Sequence, residues 1–149
     1  MANEVRWITA SATACAITAD MNALAPGANA SGVPISNGSI LARYIDYELY
    51  VGSASVWGAG GAINLYHVYS LDGTLYPDGG ATASDPHSSA WVAAFPLRAA
   101  SPAGSQRIAL NGIMLSPFDF KPVVEYVTGS GALSSVNELR YRLSDEEIQ

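Results

Sequence analysis

Between Leu41 and Val51 the chain alternates with a period of two. Leu41, Ile45, Tyr47, Leu49 and Val51 are set against Tyr44, Asp46, Glu48 and Tyr50. Successive side chains of a strand point to opposite faces, so this pattern encodes one long strand with a dry face and a wet one. The alternation returns in Trp91, Ala93, Phe95 and Leu97, and again where Leu139, Tyr141 and Leu143 oppose Glu138, Arg140 and Arg142. Further strands are predicted at Ile63–Tyr69, Gln106–Leu110, Ile113–Leu115, Phe118–Val127 and Asn137–Leu143. Pro96 assigns the strand of Trp91 to a sheet edge, because proline cannot donate to a central ladder. Asp72-Gly73 and Pro77-Asp78-Gly79-Gly80 read as turns, Gly58–Gly61 as a flexible connection, and no helical period follows residue 40. The expected fold is all-β, an antiparallel β-sandwich or jelly roll with an extended N-terminal arm. Its core is expected to comprise Leu41, Ile45, Leu49, Phe95, Leu110, Phe120, Val124, Leu139 and Tyr141.

The first 39 residues differ in kind, being rich in Ala, Ser, Asn and Gly with few large side chains. Thr18 is a candidate cap for a short helix reaching Leu24, and Ala25-Pro26-Gly27 would stop it. The reading is therefore an arm and loop over 1–39 and a β-sandwich domain over 40–149. An arm with only Val5, Trp7, Ile8 and Ile17 as large apolar residues offsets little of an ordering cost of about 1–2 kcal/mol per residue. Val5, Trp7 and Ile8 are accordingly expected to contact neighbouring subunits, with Trp7 as anchor. Tyr44 and Tyr50, on the wet face of the long strand, join them as contact residues.

Charge supports that view. Only 13% of the residues are charged, with Lys121 the single lysine, against about 25% in ordinary soluble domains. A surface of Ser, Thr, Asn, Gly, Ala and Tyr is less costly to dehydrate than one of Lys and Glu, and interfaces are depleted in Lys and Glu. The expectation is a homo-oligomer or a subunit of a larger assembly. A net charge of −6 with seven scattered basic residues argues against a nucleic-acid partner. No apolar run approaches the length of a membrane span. The N-terminus, with Glu4 opposing Arg6 and with Thr9, Ser11 and Thr13 interrupting the apolar stretch, makes a poor secretion signal. Cys15 reads as a small buried hydrophobe.

The residues offer no catalytic constellation. His67 lies in a strand and His87 in a loop, without metal-ligand spacing, so no metal and no cofactor are expected. Asp72 and Asp78 fit turn chemistry better than a calcium loop. Asp46 and Glu48 share a strand face at about 7 Å by strand rise, a separation open to glycosidase acids but equally that of a wet strand face. Gly58–Gly61 lacks the Lys-Ser/Thr of a phosphate loop. Asn29-Ala30-Ser31 and Asn37-Gly38-Ser39 match glycosylation sequons. The chain is not expected to be an enzyme.

Four segments carry a resemblance. They are Leu41–Val51, Val68–Tyr76 with its Ser70-Leu71-Asp72-Gly73-Thr74-Leu75-Tyr76, Ser116–Lys121, and Thr128-Gly129 followed by Val136-Asn137-Glu138-Leu139. Their order resembles a family of small virion proteins of tailed bacteriophages, over about residues 20–143. Tyr126 stands near a position where the family often has Asn. The resemblance implies a β-sandwich building block of the particle, with the major capsid protein or other virion subunits as partners and the virion as location. A capsid cement (decoration) protein comes first, a tail or baseplate subunit second. From another class, a carbohydrate-binding β-sandwich would use Trp57, Trp91 and tyrosines to stack on sugars.

Overall fold

The computed structural model describes residues 5–9, 13–17, 19–52, 61–77, 85–99, 104–127 and 131–148. Nine strands run along them: β1 (Val5–Thr9), β2 (Thr13–Ile17), β3 (Asn29–Ser31), β4 (Tyr44–Val51), β5 (Ala62–Ser70), β6 (Trp91–Pro96), β7 (Gln106–Met114), β8 (Asp119–Tyr126) and β9 (Asn137–Ile148). Among the described residues there is no α-helix, only single 3-10 turns at Ala19–Met21 and Ser88–Ala90.

The strands form two antiparallel sheets. The first has the order β1-β9-β4-β7, with β2 also on β9, and the second has the order β3-β8-β5-β6. Taken as one interrupted strand, β1 and β2 lie beside β9, while β3 lies beside β8, β4 beside β7 and β5 beside β6. First thus pairs with last and the pairing nests inward, as when one long antiparallel ribbon is wound into a jelly roll. β6 is the edge that Pro96 requires.

The alternation in the sequence is realised in β4. Ile45, Tyr47, Leu49 and Val51 are buried, and Tyr44, Asp46, Glu48 and Tyr50 lie on the outer face. The buried set meets Ile63, Leu65, Phe95, Phe120, Val124 and Tyr126 of the second sheet in one core. Of the expected core, Ile45, Leu49, Phe95, Phe120, Val124 and Leu139 are fully buried. Leu110 and Tyr141 are half-buried against it.

Leu41 is a correction. It is 56% exposed and precedes β4, in a loop turned by Asn37. The Asn37 amide brackets Ala42, donating to its carbonyl and accepting from its N–H, and also donates to the Ser116 carbonyl. Ala42 takes the buried place and Leu41 is turned outward.

Residues 106–114 form one strand rather than two. Asn111 and Gly112 together oppose Asp46, Gly112 sits at φ 67°, and its N–H donates to the Asp46 carboxylate at 2.8 Å. This is a glycine bulge, which bends the edge strand without ending it.

Between Ile17 and Ile35 the N-terminal segment contributes to the core. Ile17, Met21, Leu24, Ala30 and Ile35 all enter the core. Asn137 ties this segment down, its amide reaching the Met21 carbonyl and the Asn22 side chain. One part does extend. Asp145–Ile148 of β9 pair with β1, β4 having begun at Tyr44 opposite Ser144. Arg43 braces that ribbon through Asp145 and Glu146.

Beside Asn137, Gly52 approaches the backbone so closely that an added Cβ would lie 2.4 Å from the Val136 carbonyl oxygen. Gly52→Ala is expected to cost about 1–3 kcal/mol by overpacking, read as a lower urea midpoint. An unchanged midpoint would mean that the 134–137 turn yields freely.

Candidate interaction surface

In an antiparallel winding, alternate connections fall at the same end. The loops β3–β4, β5–β6 and β7–β8 therefore meet, and Asp119 is where they join. Its carboxylate accepts from the Gly38 N–H at 2.8 Å and from the Ser36 hydroxyl at 3.1 Å. Gly73, at φ 75°, lies so close that an added Cβ would stand 3.0 Å from the other Asp119 oxygen.

The Ser70–Tyr76 segment is a locked turn rather than the tip of a hairpin. Asp72 accepts from the N–H groups of Thr74 and Leu75 and from the Ser70 hydroxyl, which hold its carboxyl well below the usual range, Leu75 contributing most. The Tyr76 ring lies beneath the Lys121 ammonium at 4.4 Å. The Ser70–Tyr76 and Ser116–Lys121 segments thus meet in one corner.

That corner displays apolar side chains. Six of the ten exposed large hydrophobic residues among those described lie here: Ile40, Leu41, Leu71, Leu75, Met114 and Phe118, between 40% and 86% exposed. Leu71 and Phe118 line one shallow depression with Gly38 and Pro117. Leu41 is held at φ 56°, a region that costs a non-glycine residue about 1–2 kcal/mol. Clustered apolar exposure of this kind marks interaction sites, whereas scattered single residues do not.

The outer face of the first sheet is of another kind. Arg142 pairs with Asp46 at 2.9 Å, Arg107 with Glu48, and Arg140 with Glu138 at 2.9 Å. The Arg107 guanidinium also covers the Tyr50 ring at 4.8 Å. Exposed pairs of this sort contribute little stability, but they neutralise the face. Asp46 and Glu48 thus each have an arginine partner, and both line an open depression on this face with Asn111, Arg140 and Arg142. Tyr44 and Tyr50 stand on this face, half-buried. The side chains of Val5, Trp7, Ile8 and Cys15 lie outside those described, as does Trp57; the backbone of β1 pairs with the end of β9.

The remaining candidates have structural partners. His67 is buried between the sheets, its Nε2 2.9 Å from the Tyr47 hydroxyl and its ring 4.4 Å from that of Phe120. His87 caps the short turn at Ser88–Ala90 by accepting from the Ser89 N–H. The sequon asparagines Asn29 and Asn37 are both buried. Among the described residues, no three His, Cys, Asp or Glu side chains are placed to share a metal ion. No helix among them is long and apolar enough to cross a membrane.

A comparison with protein-family models finds none that matches this chain, and comparisons with curated proteins and with solved structures give no match either.

Sequence reasoning misses the apolar end, although a signal for it is present. Ile40-Leu41, Leu71, Leu75 and Phe118 are large apolar residues inside segments whose Gly, Asp, Ser and Pro already mark them as turns.

Proposed function

We propose that this protein is a structural subunit of a tailed-bacteriophage virion, of the capsid cement type, which holds neighbouring shell subunits together. The observation that carries the reading is the apolar end, where three loops locked on Asp119 and Asn37 present Ile40, Leu41, Leu71, Met114 and Phe118 to solvent. A locked display loses little conformational entropy on binding, which is what a permanent contact requires. The low charge of the whole chain and its Tyr- and Arg-bearing sheet face support the same reading, since interface cores are depleted in charge and enriched in Tyr and Arg. Jelly rolls serve both as capsid components and as lectins, so the fold by itself favours neither class.

Particles purified from the source host should contain the chain in a fixed ratio to the shell subunit, and stripped particles should take it up again. The double variant Leu71→Ser/Phe118→Ser should rebind at least tenfold more weakly with unchanged melting. Leu41→Gly should melt higher, by relief of the left-handed backbone, yet rebind more weakly. Absence from particles, or rebinding indifferent to all three positions, rejects the proposal.

A further inference from the structure

The outer face of the second sheet carries a feature that shell contact does not call for. β6 pairs with β5 through Phe95 opposite Ile63 and Ala93 opposite Leu65, and then the register shifts so that Trp91 stands opposite Tyr66. Without the shift, Trp91 would follow Phe95 and Ala93 to the inner side. The bulge turns it to the outer face with Tyr66, while Val92 packs on the core. Trp91 is left 52% exposed. Bulges that re-aim one side chain recur beside functional sites.

Tyr66 itself is buried under Tyr76 and Ala90, and beside it runs a row of polar groups. Asn64 stands opposite Glu125 on β8, and Glu125 opposite Asn29 on β3. The Glu125 carboxylate accepts from the Tyr66 hydroxyl at 2.6 Å and from the Asn64 amide at 3.3 Å, and Asn29 donates to Asp85 at 3.0 Å. Ala94, opposite Asn64, adds no bulk between the row and the sheet edge. Asn64 and Glu125 are only partly buried. Burial and the bond to Glu125 push the Tyr66 hydroxyl up to about 12, so it stays a donor and holds the carboxylate in place.

We infer that this face binds a neutral oligosaccharide, with Trp91 as the stacking platform and Asn64 and Glu125 as the hydroxyl-binding groups. A pyranose has an apolar C–H face and a rim of hydroxyls that both donate and accept. The negative face of an indole attracts the former. An amide and a carboxylate, fixed in position, match the latter. From β6 to β8 the sheet spans about 10 Å, which suits more than one sugar ring. Acidic sugars are excluded by Glu125, Asp85 and the net charge of −6. The inference does not depend on the particle reading, because Trp91, Asn64 and Glu125 are not among the residues of the apolar loop end.

The full chain is to be applied to an immobilised panel of maltose-, cellulose-, chitin- and galactose-type oligosaccharides beside sialylated and uronate-containing ones. At least one neutral class should bind. Trp91→Ala should weaken that binding at least tenfold and Trp91→Phe less, both with unchanged melting. Glu125→Gln should weaken it several-fold, and Leu71→Ser, at the apolar end, not at all. Binding of no neutral oligosaccharide, a preference for acidic ones, or binding that survives Trp91→Ala overturns the inference, whatever the particle experiments show.

Discussion

Replacing Phe120 by alanine is expected to lower the unfolding free energy by about 3–5 kcal/mol. Phe120 is fully buried in β8, its ring 4.4 Å from that of His67 and 5.5 Å from that of Tyr69. It also exchanges both backbone hydrogen bonds with Ile35, so the β3–β4 loop rests on it. Removing the ring would leave a cavity bordered by an imidazole and a phenol, which collapse poorly because their polar ends are already committed. Leu41→Ala serves as the contrast, since an exposed side chain at a loop tip should change stability by no more than about 0.5 kcal/mol. Urea denaturation of both variants distinguishes them. Equal effects would mean that the face of β8 has been read wrongly.

The same contrast marks how far burial is legible in the amino-acid sequence. In β4, alternation alone separates buried from wet positions, because a strand with one solvated face writes its own burial pattern. β8 is harder to read, since Val123 points outward yet is fully buried beneath the β5–β6 connection, in a small cluster with Tyr66 and Val68. Cover at this one position interrupts an outer face that is otherwise polar, with Asp119, Lys121 and Glu125. The N-terminal segment is opaque for another reason. Ile17, Met21, Leu24, Ala30 and Ile35 are too sparse to make a period, and their burial comes from long-range partners such as Asn137. Of the candidate contacts, Tyr44 and Tyr50 can be placed on a face by parity. The apolar end cannot, because it exists only once three loops distant in sequence converge on Asp119. Trp91 needs a bulge to reach its face, and no composition rule announces a bulge.

Acid should weaken the fold through His67 before most carboxylates begin to titrate. Burial between the sheets lowers the pKa of this imidazole from 6.5 to about 3, and its described neighbours are the hydroxyls of Tyr47 and Tyr69 and the ring of Phe120 rather than any anion. The unfolded chain takes up a proton near pH 6.5 that the folded chain refuses. Stability from this group is therefore complete above the unfolded value and falls as pH drops, by about 1.4 kcal/mol per unit until the folded pKa is reached. Between neutral pH and about pH 5 the loss amounts to about 2 kcal/mol, and to between about 4 and 5 kcal/mol by pH 3. Asp72, whose carboxyl is held low by backbone N–H groups, adds a loss of the same sign only once its ordinary titration range is entered. The window from pH 6.5 to 5 thus lies above most carboxylates, and removing His67 separates its effect from that of His87. Melting temperatures across it should fall for the natural chain and stay nearly flat for His67→Gln, which cannot take a proton and can still meet the Tyr47 hydroxyl. Parallel curves for the two chains would show that His67 is protonated within the fold and that the core admits the charge.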